Sequence, residues 1–246
     1  MLTPEDAEGL AVRVLKARFP DADAGFAAGS IIRGRATALS DLDLVVLYAR
    51  LPNARREAFR FEDLPVDVFI HDGETLRWTF QADLDAGKPA YLTMASEGRI
   101  VGPRQDEARG LQERARELLR AGPPPLSDDQ REQFRFLITD RIGDLRDRRD
   151  AGEWIATGAW LYLVMADFIL RTRGEWAATA KWIPRTLAAV DPALEVAFSR
   201  AFEALFARGD PAALIDFAEE ILVPFGGLLF EGYEAQSPPS ARLTEP

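Results

Sequence analysis

The sequence predicts an α+β protein: a small mixed sheet with flanking helices in the first half, followed by an α-helical bundle. Segments with the composition and length of strands are found in the first half, whereas the second half has a helical pattern and no convincing strand. Between the halves lies Pro123-Pro124-Pro125, which is too stiff for a helix or a central strand. A chain of 246 residues can form two modest domains. We predict them at 1–122 and 123–235, with a flexible tail at 236–246.

The first half begins with a predicted helix. Thr3 can cap it, Pro4 suits its first position, and Pro20 ends it after about Phe19. Short apolar or β-branched runs then predict strands, and amphipathic segments predict helices. The strands are 24–28, 42–48, 64–70 and a short edge strand at 99–101, and the further helices are 74–86, 90–97 and 106–120.

The second half predicts helices alone. Ser127 followed by two aspartates is typical of a helix start, because the hydroxyl can cap the first turn and the carboxylates favour its positive end. No later segment has the composition of a strand. The predicted helices span about 127–150, 153–173, 179–190, 193–208 and 211–222.

Composition excludes several kinds of site. The chain has no cysteine, which excludes disulfides, thiolate metal sites and cysteine nucleophiles. The chain has a single histidine, His71, which excludes zinc sites built from several imidazoles. We interpret His71 as a structural hydrogen-bonding residue. The net charge of −10 argues against broad nucleic-acid binding and favours a cationic partner.

The hydropathy pattern predicts neither a secretory signal nor a membrane span. The first residues, Met1 to Asp6, are acidic and lack a basic region followed by an apolar one. The longest apolar stretch, 159–170, is interrupted by Asp167 and is shorter than the ~20 residues that a span requires. We therefore expect a soluble, cytoplasmic protein without a membrane partner.

An acidic pair on a predicted strand is the first candidate site. Asp41 and Asp43 are two residues apart, so they project from the same face, about 6.6 Å apart along the backbone at ~3.3 Å per residue. Carboxylates at this spacing can converge on a hard cation such as Mg²⁺, and without a cation they repel each other. Asp67, within the next apolar strand, is a third carboxylate that can join them from a neighbouring strand.

A candidate anion site precedes this pair. Gly29 lets a phosphate approach the backbone closely, and the hydroxyl of Ser30 can donate to it. Arg33 follows about one turn later and can direct its guanidinium at the same anion, or else brace the loop against a carboxylate. A phosphate cradle ten residues before an acidic pair suits a nucleoside triphosphate with Mg²⁺.

These residues carry a resemblance to a known superfamily. The segment from 29 to 44 reads Gly-Ser-x-x-Arg-Gly-x-Ala-Thr-x-x-Ser-Asp-x-Asp-Leu. It resembles the motif of the nucleotidyltransferase superfamily, the polymerase-β-like branch that includes the minimal and the aminoglycoside nucleotidyltransferases. The resemblance covers about residues 25–70, and Asp67 lies where the family places its third acidic residue.

The resemblance implies roles for individual residues. Asp41 and Asp43 are implied as metal ligands, and Asp67 as a third ligand or general base. Gly29, Ser30 and Arg33 are implied as triphosphate contacts. The helical half resembles the acceptor domains of the aminoglycoside enzymes more loosely, and there Lys181 resembles a lysine directed at the phosphates.

The implied activity is Mg²⁺-dependent transfer of a nucleoside monophosphate from a nucleotide such as ATP to a hydroxyl of a small molecule, with release of pyrophosphate. The acidic charge favours an aminoglycoside-like, cationic acceptor. Two alternatives stay open: an AMP-transferring regulator that acts on a partner protein, and a non-catalytic nucleotide-binding module. The sequence does not determine the base, the acceptor, the number of metal ions or the oligomeric state.

Overall fold

The computed structural model describes residues 3–147 and 150–237. It confirms the predicted α+β class, with a five-stranded mixed sheet followed by helices. The chain divides into two compact units, Met1–Pro123 and Pro124–Pro246. Residues 238–246, which make up most of the predicted tail, lie outside the described residues.

The first unit contains all five strands found in the described residues. Its helices are α1 (Pro4–Arg18), α2 (Gly29–Ile32), α3 (Gly73–Ala86), α4 (Ala90–Glu97) and α5 (Asp106–Ala121). Its strands are β1 (Ala24–Ala28), β2 (Leu42–Tyr48), β3 (Arg55–Phe61), β4 (Leu64–Asp72) and β5 (Arg99–Val101). The strand order is β3-β4-β2-β1-β5, in which β2 and β4 are parallel and the other neighbours antiparallel.

Side chains along β2 and β4 point alternately to the two faces of the sheet, and the apolar side chains of one face pack against α1. The buried face of α1, which includes Leu10 and Val14, packs against Leu44, Val46 and Val68 in one hydrophobic cluster. The alternate side chains of β4 point to the other face of the sheet. There Phe69 packs edge-on against Tyr91 of α4, with ring centroids 5.5 Å apart. Helices therefore pack against both faces of the sheet. Asp43 of β2 and Asp67 of β4 lie on the face opposite α1.

The sequence did not predict β3. It pairs antiparallel with β4 through a two-residue turn, Glu62–Asp63, whose φ angles are 48° and 64°. Left-handed angles at both turn residues are typical of a tight hairpin. The strand was missed because it lies at the sheet edge and is rich in arginine, which is common in edge strands but obscures apolar alternation.

The second unit is helical in its described residues. Its elements are α6 (Asp128–Arg146), α7 (Ala151–Arg171), α8 (Trp182–Val190), α9 (Pro192–Arg208), α10 (Ala212–Leu222) and a short 3₁₀ turn (Val223–Phe225). Helix α8 begins three residues later than predicted, because Ala180 has a φ of 46° that a helix excludes. Asp150 caps α7 by accepting from the backbone N–H of Glu153 at 3.0 Å, so this helix starts earlier than predicted.

Helix α7 is long and apolar enough to cross a membrane by length and composition alone, although 39% of its most apolar window is buried. Its buried residues include Leu161, Met165 and Phe168, which belong to the main hydrophobic cluster of the second unit. A core helix of a water-soluble protein has the same composition. Packing therefore accounts for the apolar residues on the buried face of α7, whereas Ile155 and Leu163 are exposed.

Candidate active site

Three carboxylates converge at one end of the sheet. Asp43 on β2 and Asp67 on β4 are direct neighbours in the parallel register, and Asp41 immediately precedes β2. One oxygen from each lies within 4.8 Å of the others. Asp41 is exposed, whereas Asp43 and Asp67 are partly buried. The structure thus brings together the three acidic residues that the sequence singled out.

The local sequence explains why these carboxylates share a face. Leu42, Leu44 and Val46 are buried in the cluster that contains α1. Because successive side chains of a strand alternate between faces, Asp43 points to the opposite side. The same alternation in β4, where Val66 and Val68 are buried, directs Asp67 to that side as well.

Gly29 lies directly against the carboxylate of Asp43. It follows Ala28, the β1 partner of Asp43, and has a φ of 86°. A Cβ atom at this position would overlap Oδ2 of Asp43. Glycine is therefore required both by the backbone dihedral and by the close approach of the side chain.

A network of hydroxyl groups closes the loop between α2 and β2. Ser30 Oγ donates to Ser40 Oγ at 3.0 Å, and the backbone N–H of Thr37 donates to the same oxygen at 2.8 Å. The network holds the chain that enters the acidic site through Asp41. The sequence analysis gave Ser30 a role towards phosphate and gave Ser40 none. A signal for Ser40 was present, because Ser and Thr side chains in loops often form hydrogen bonds with nearby backbone groups.

Arg33 forms an ion pair with Glu97, the last residue of α4, with Nε and Oε2 2.7 Å apart. The structure therefore shows the bracing contact that was the alternative to a phosphate contact. The Arg33 side chain is 24% exposed and that of Glu97 is 50% exposed. A role of Arg33 towards phosphate stays a prediction, and it requires the guanidinium to leave Glu97 or to share its donors.

Asp67 has a partner that sequence reasoning missed. Arg56 on β3 donates from Nε to Oδ1 at 2.8 Å and from Nη2 to Oδ2 at 2.5 Å. This hydrogen bonding to Asp67 raises the pKa of Arg56, so the guanidinium stays charged. Arg56 was missed because β3 itself was not predicted, and only the strand pairing brings it to the site.

His71 lies further along the same strand face as Asp67. It is 3% exposed, and its Nδ1 lies 3.2 Å from Oγ1 of Thr75. Its ring packs edge-on against Tyr91 at 5.4 Å, and burial lowers the pKa of His71. These contacts agree with the interpretation of His71 as a structural residue.

Lys181 belongs to the second unit. It is exposed and immediately precedes α8, as the N-cap residue of that helix. Its implied role towards the phosphates stays a prediction.

The donor set of the three aspartates fits a hard divalent cation. It consists of carboxylate oxygens alone, which Mg²⁺ prefers, and it lies beside a backbone position where any side chain would collide with Asp43. Three carboxylates this close repel one another, and a bound cation relieves that repulsion. Asp41, Asp43 and Asp67 are therefore the residues that would hold such an ion.

Comparisons with known proteins give a structural neighbour but no family. No family model matches the sequence, and no curated protein matches it. The chain is structurally similar to a nucleotidyltransferase-like protein. That protein comes from Exiguobacterium sibiricum 255-15, and the match has 16% sequence identity and a TM-score of 0.48 over 88% of this chain and 74% of that chain. A similar fold does not imply a shared function, so the function has to be derived from the site itself.

Proposed function

We propose that the protein is a Mg²⁺-dependent nucleotidyltransferase that moves a nucleoside monophosphate from a nucleoside triphosphate to a hydroxyl of a small molecule. The observation that supports this most directly is the convergence of Asp41, Asp43 and Asp67 within 4.8 Å beside Gly29. The reaction belongs in the cytoplasm, where nucleoside triphosphates are abundant.

The chain's own residues have distinct tasks in this proposal. Asp41, Asp43 and Asp67 would hold the metal, which when bound would neutralise charge on the phosphates. The Ser30 hydroxyl now donates to Ser40, and it can donate to a phosphate oxygen if it breaks that hydrogen bond. Arg33 and Lys181 are the proposed cationic contacts of the triphosphate. The protein thus acts mainly by positioning the reactants and neutralising charge.

The proposed acceptor is a small cationic molecule of the aminoglycoside type. The net charge of −10 attracts amines to the protein and raises their local concentration. The oxygen of an acceptor hydroxyl attacks the α-phosphorus and forms the new phosphate ester, and its proton passes to water or to a general base, a role that the resemblance implies for Asp67. The bond between the α-phosphorus and the oxygen that bridges to the β-phosphorus breaks, and pyrophosphate leaves with the electrons of that bond.

The test is a screen for pyrophosphate release. Each of the four ribonucleoside triphosphates is incubated with Mg²⁺ and pooled aminocyclitols, metabolites or cell lysate, and mass spectrometry looks for a modified acceptor. We expect Asp43→Asn to lower the rate at least about a hundredfold, which corresponds to about 3 kcal/mol. Glu113→Gln, a change of an exposed carboxylate on α5, is the matched control and should leave the rate unchanged.

The possible outcomes separate the alternatives. Transfer that survives Asp43→Asn contradicts the assignment of the metal site. Mg²⁺-dependent nucleotide binding without any turnover favours the non-catalytic module. A mass increase on a protein from the lysate, with no small-molecule product, favours the AMP-transferring regulator. A neutral acceptor removes the cationic preference and leaves the chemistry in place.

A further inference from the structure

A cation of the protein already pairs with one of the three aspartates of the acidic site. Arg56 faces Phe69 across the β3–β4 pair, and Ala58 faces Asp67. From this position the guanidinium reaches diagonally to Asp67 and donates to both of its oxygens, at 2.8 and 2.5 Å. Two parallel N–H donors on one carboxylate are the geometry that gives arginine its strongest ion pairs.

The two partners differ in their freedom to move. The side chain of Asp67 is 13% exposed, whereas that of Arg56 is 65% exposed. Arg56 also lies over the ring of Phe69, with its guanidinium carbon 4.8 Å from the ring centroid. Arg56 can therefore leave Asp67 and stay near the site, whereas Asp67 is held in place by the sheet.

A metal ion and this guanidinium need the same carboxylate. The oxygens that could hold an ion include one from Asp67, and both Asp67 oxygens accept hydrogen bonds from Arg56. Two cations on one carboxylate repel each other, because at such short range the interaction is only partly screened. Binding of one therefore weakens binding of the other.

We propose that Arg56 is the resident counter-cation of the acidic site and that a divalent metal ion binds by displacing it from Asp67. This inference rests on the proposed function and adds a regulation to it. A nucleoside triphosphate brings negative charge and offers the released guanidinium a new partner. Metal binding is consequently weak without nucleotide and strong with it, and Arg56 couples the two ligands.

The test measures metal binding rather than turnover. Mn²⁺ is titrated into the whole chain with and without a non-hydrolysable ATP analogue, and free Mn²⁺ is followed by electron paramagnetic resonance, with a titration of the analogue alone as the baseline because it binds Mn²⁺ itself. We expect Arg56→Gln to bind Mn²⁺ about tenfold more tightly than wild type without nucleotide, which corresponds to about 1.4 kcal/mol. The analogue should then improve the affinity of this variant less than that of wild type.

Arg55→Gln is the matched control. Arg55 is the adjacent residue of the same strand, is also exposed, and pairs with Glu57. Removing its charge should change the Mn²⁺ affinity less than twofold. Arg56→Lys keeps the charge but loses the paired donors, so we expect an intermediate affinity, and it serves as the test variant if Arg56→Gln does not fold.

The outcomes distinguish this inference from the proposed function. If Asp43→Asn abolishes Mn²⁺ binding but Arg56→Gln binds no more tightly than wild type, Arg56 does not compete and only this inference is wrong. If wild type binds no Mn²⁺ even with the analogue, or binds it equally well after Asp43→Asn, the acidic residues are not a metal site. In that case the proposed function and the role of Arg56 are both overturned.

Discussion

Single residues at this site are fixed by their neighbours as much as by their own chemistry. Gly29 illustrates this, because the carboxylate of Asp43 occupies the space where its side chain would lie. The sequence assigned Gly29 to phosphate binding, which stays a prediction. The structure adds a second reason for glycine there, namely the shape of the acidic site.

We expect Gly29→Ala to lower the free energy of unfolding by about 2 kcal/mol, since it combines a strained backbone with a collision. It should also weaken Mn²⁺ binding by displacing Asp43. Gly34→Ala is the control: Gly34 has a φ of 67°, but a Cβ there meets nothing within 4 Å, so we expect a cost of about 1 kcal/mol. Denaturant unfolding checks both values, and equal costs would contradict a collision at position 29.

Asp83 is a buried carboxylate on α3 that is not one of the three converging aspartates. It is 7% exposed, and its Oδ2 accepts from the backbone N–H of Leu92 at 2.8 Å. Burial raises the pKa of Asp83 to about 6, and the backbone hydrogen bonds offset this only in part. The folded protein therefore holds this proton at a higher pH than the unfolded chain does. The stability that Asp83 contributes is full below its unfolded pKa and is lost as the pH rises through about 6.

Asp83→Asn should remove this pH dependence. We expect the free energy of unfolding of wild type, relative to that of the variant, to fall by about 2 kcal/mol between pH 4 and pH 7. Urea unfolding at several pH values measures the difference. Parallel curves for the two proteins would show that the pKa of Asp83 is the same in the folded and unfolded chains.

At the scale of elements, local sequence patterns predicted most helices and strands but did not predict the edge strand β3. β1, β2 and β4 were predicted from apolar runs, because buried strands carry their own pattern. β3 has little apolar alternation and is stabilised by pairing with β4, which a local pattern does not reveal. Its absence from the prediction also hid Arg56.

Helix α3 depends on a cap that the sequence analysis did not assign. Asp72 accepts from the backbone N–H of Thr75 at 2.8 Å and from that of Leu51 at 2.9 Å. Burial acts to raise the pKa of Asp72, but these hydrogen bonds outweigh it, so the pKa is lowered. The contribution of Asp72 to stability is thus present above its unfolded pKa and is lost as the pH falls through its folded one.

We expect Asp72→Ala to lower the free energy of unfolding by about 2 kcal/mol at pH 7, because it removes two hydrogen bonds to backbone donors. Ser127→Ala is the comparison, since the Ser127 hydroxyl accepts only from Gln130, and its expected cost is about 1 kcal/mol. Thermal and denaturant unfolding measure both. A cost for Asp72→Ala no larger than that for Ser127→Ala would show that the bond to Leu51 contributes nothing.

At the scale of the whole molecule, the described residues form two hydrophobic clusters. The cluster around α1 lies in the first unit, and the cluster around α7 lies in the second. Each of these clusters is built from residues of one unit, as the core of a domain is. The roles proposed for the units, nucleotide chemistry for the first and acceptor binding for the second, stay predictions.

We expect a fragment of residues 1–123 to fold on its own and to bind Mn²⁺ as tightly as the full chain, because all three aspartates and their supporting strands lie within it. Transfer to an acceptor should be lost, because Lys181 and the helical unit are absent. Circular dichroism, unfolding curves and the Mn²⁺ titration test this. A fragment without cooperative unfolding would show that the first unit requires the second.

The sequence by itself determined the α+β class, most helices and strands, and the acidic motif, because periodicity and capping are encoded within a few adjacent residues. The tertiary structure decided which distant residues meet. The parallel pairing of β2 with β4 places Asp67 beside Asp43, and the pairing of β3 with β4 brings Arg56 to Asp67. Strand order and register depend on the packing of the whole sheet against its helices, so no local segment contains them.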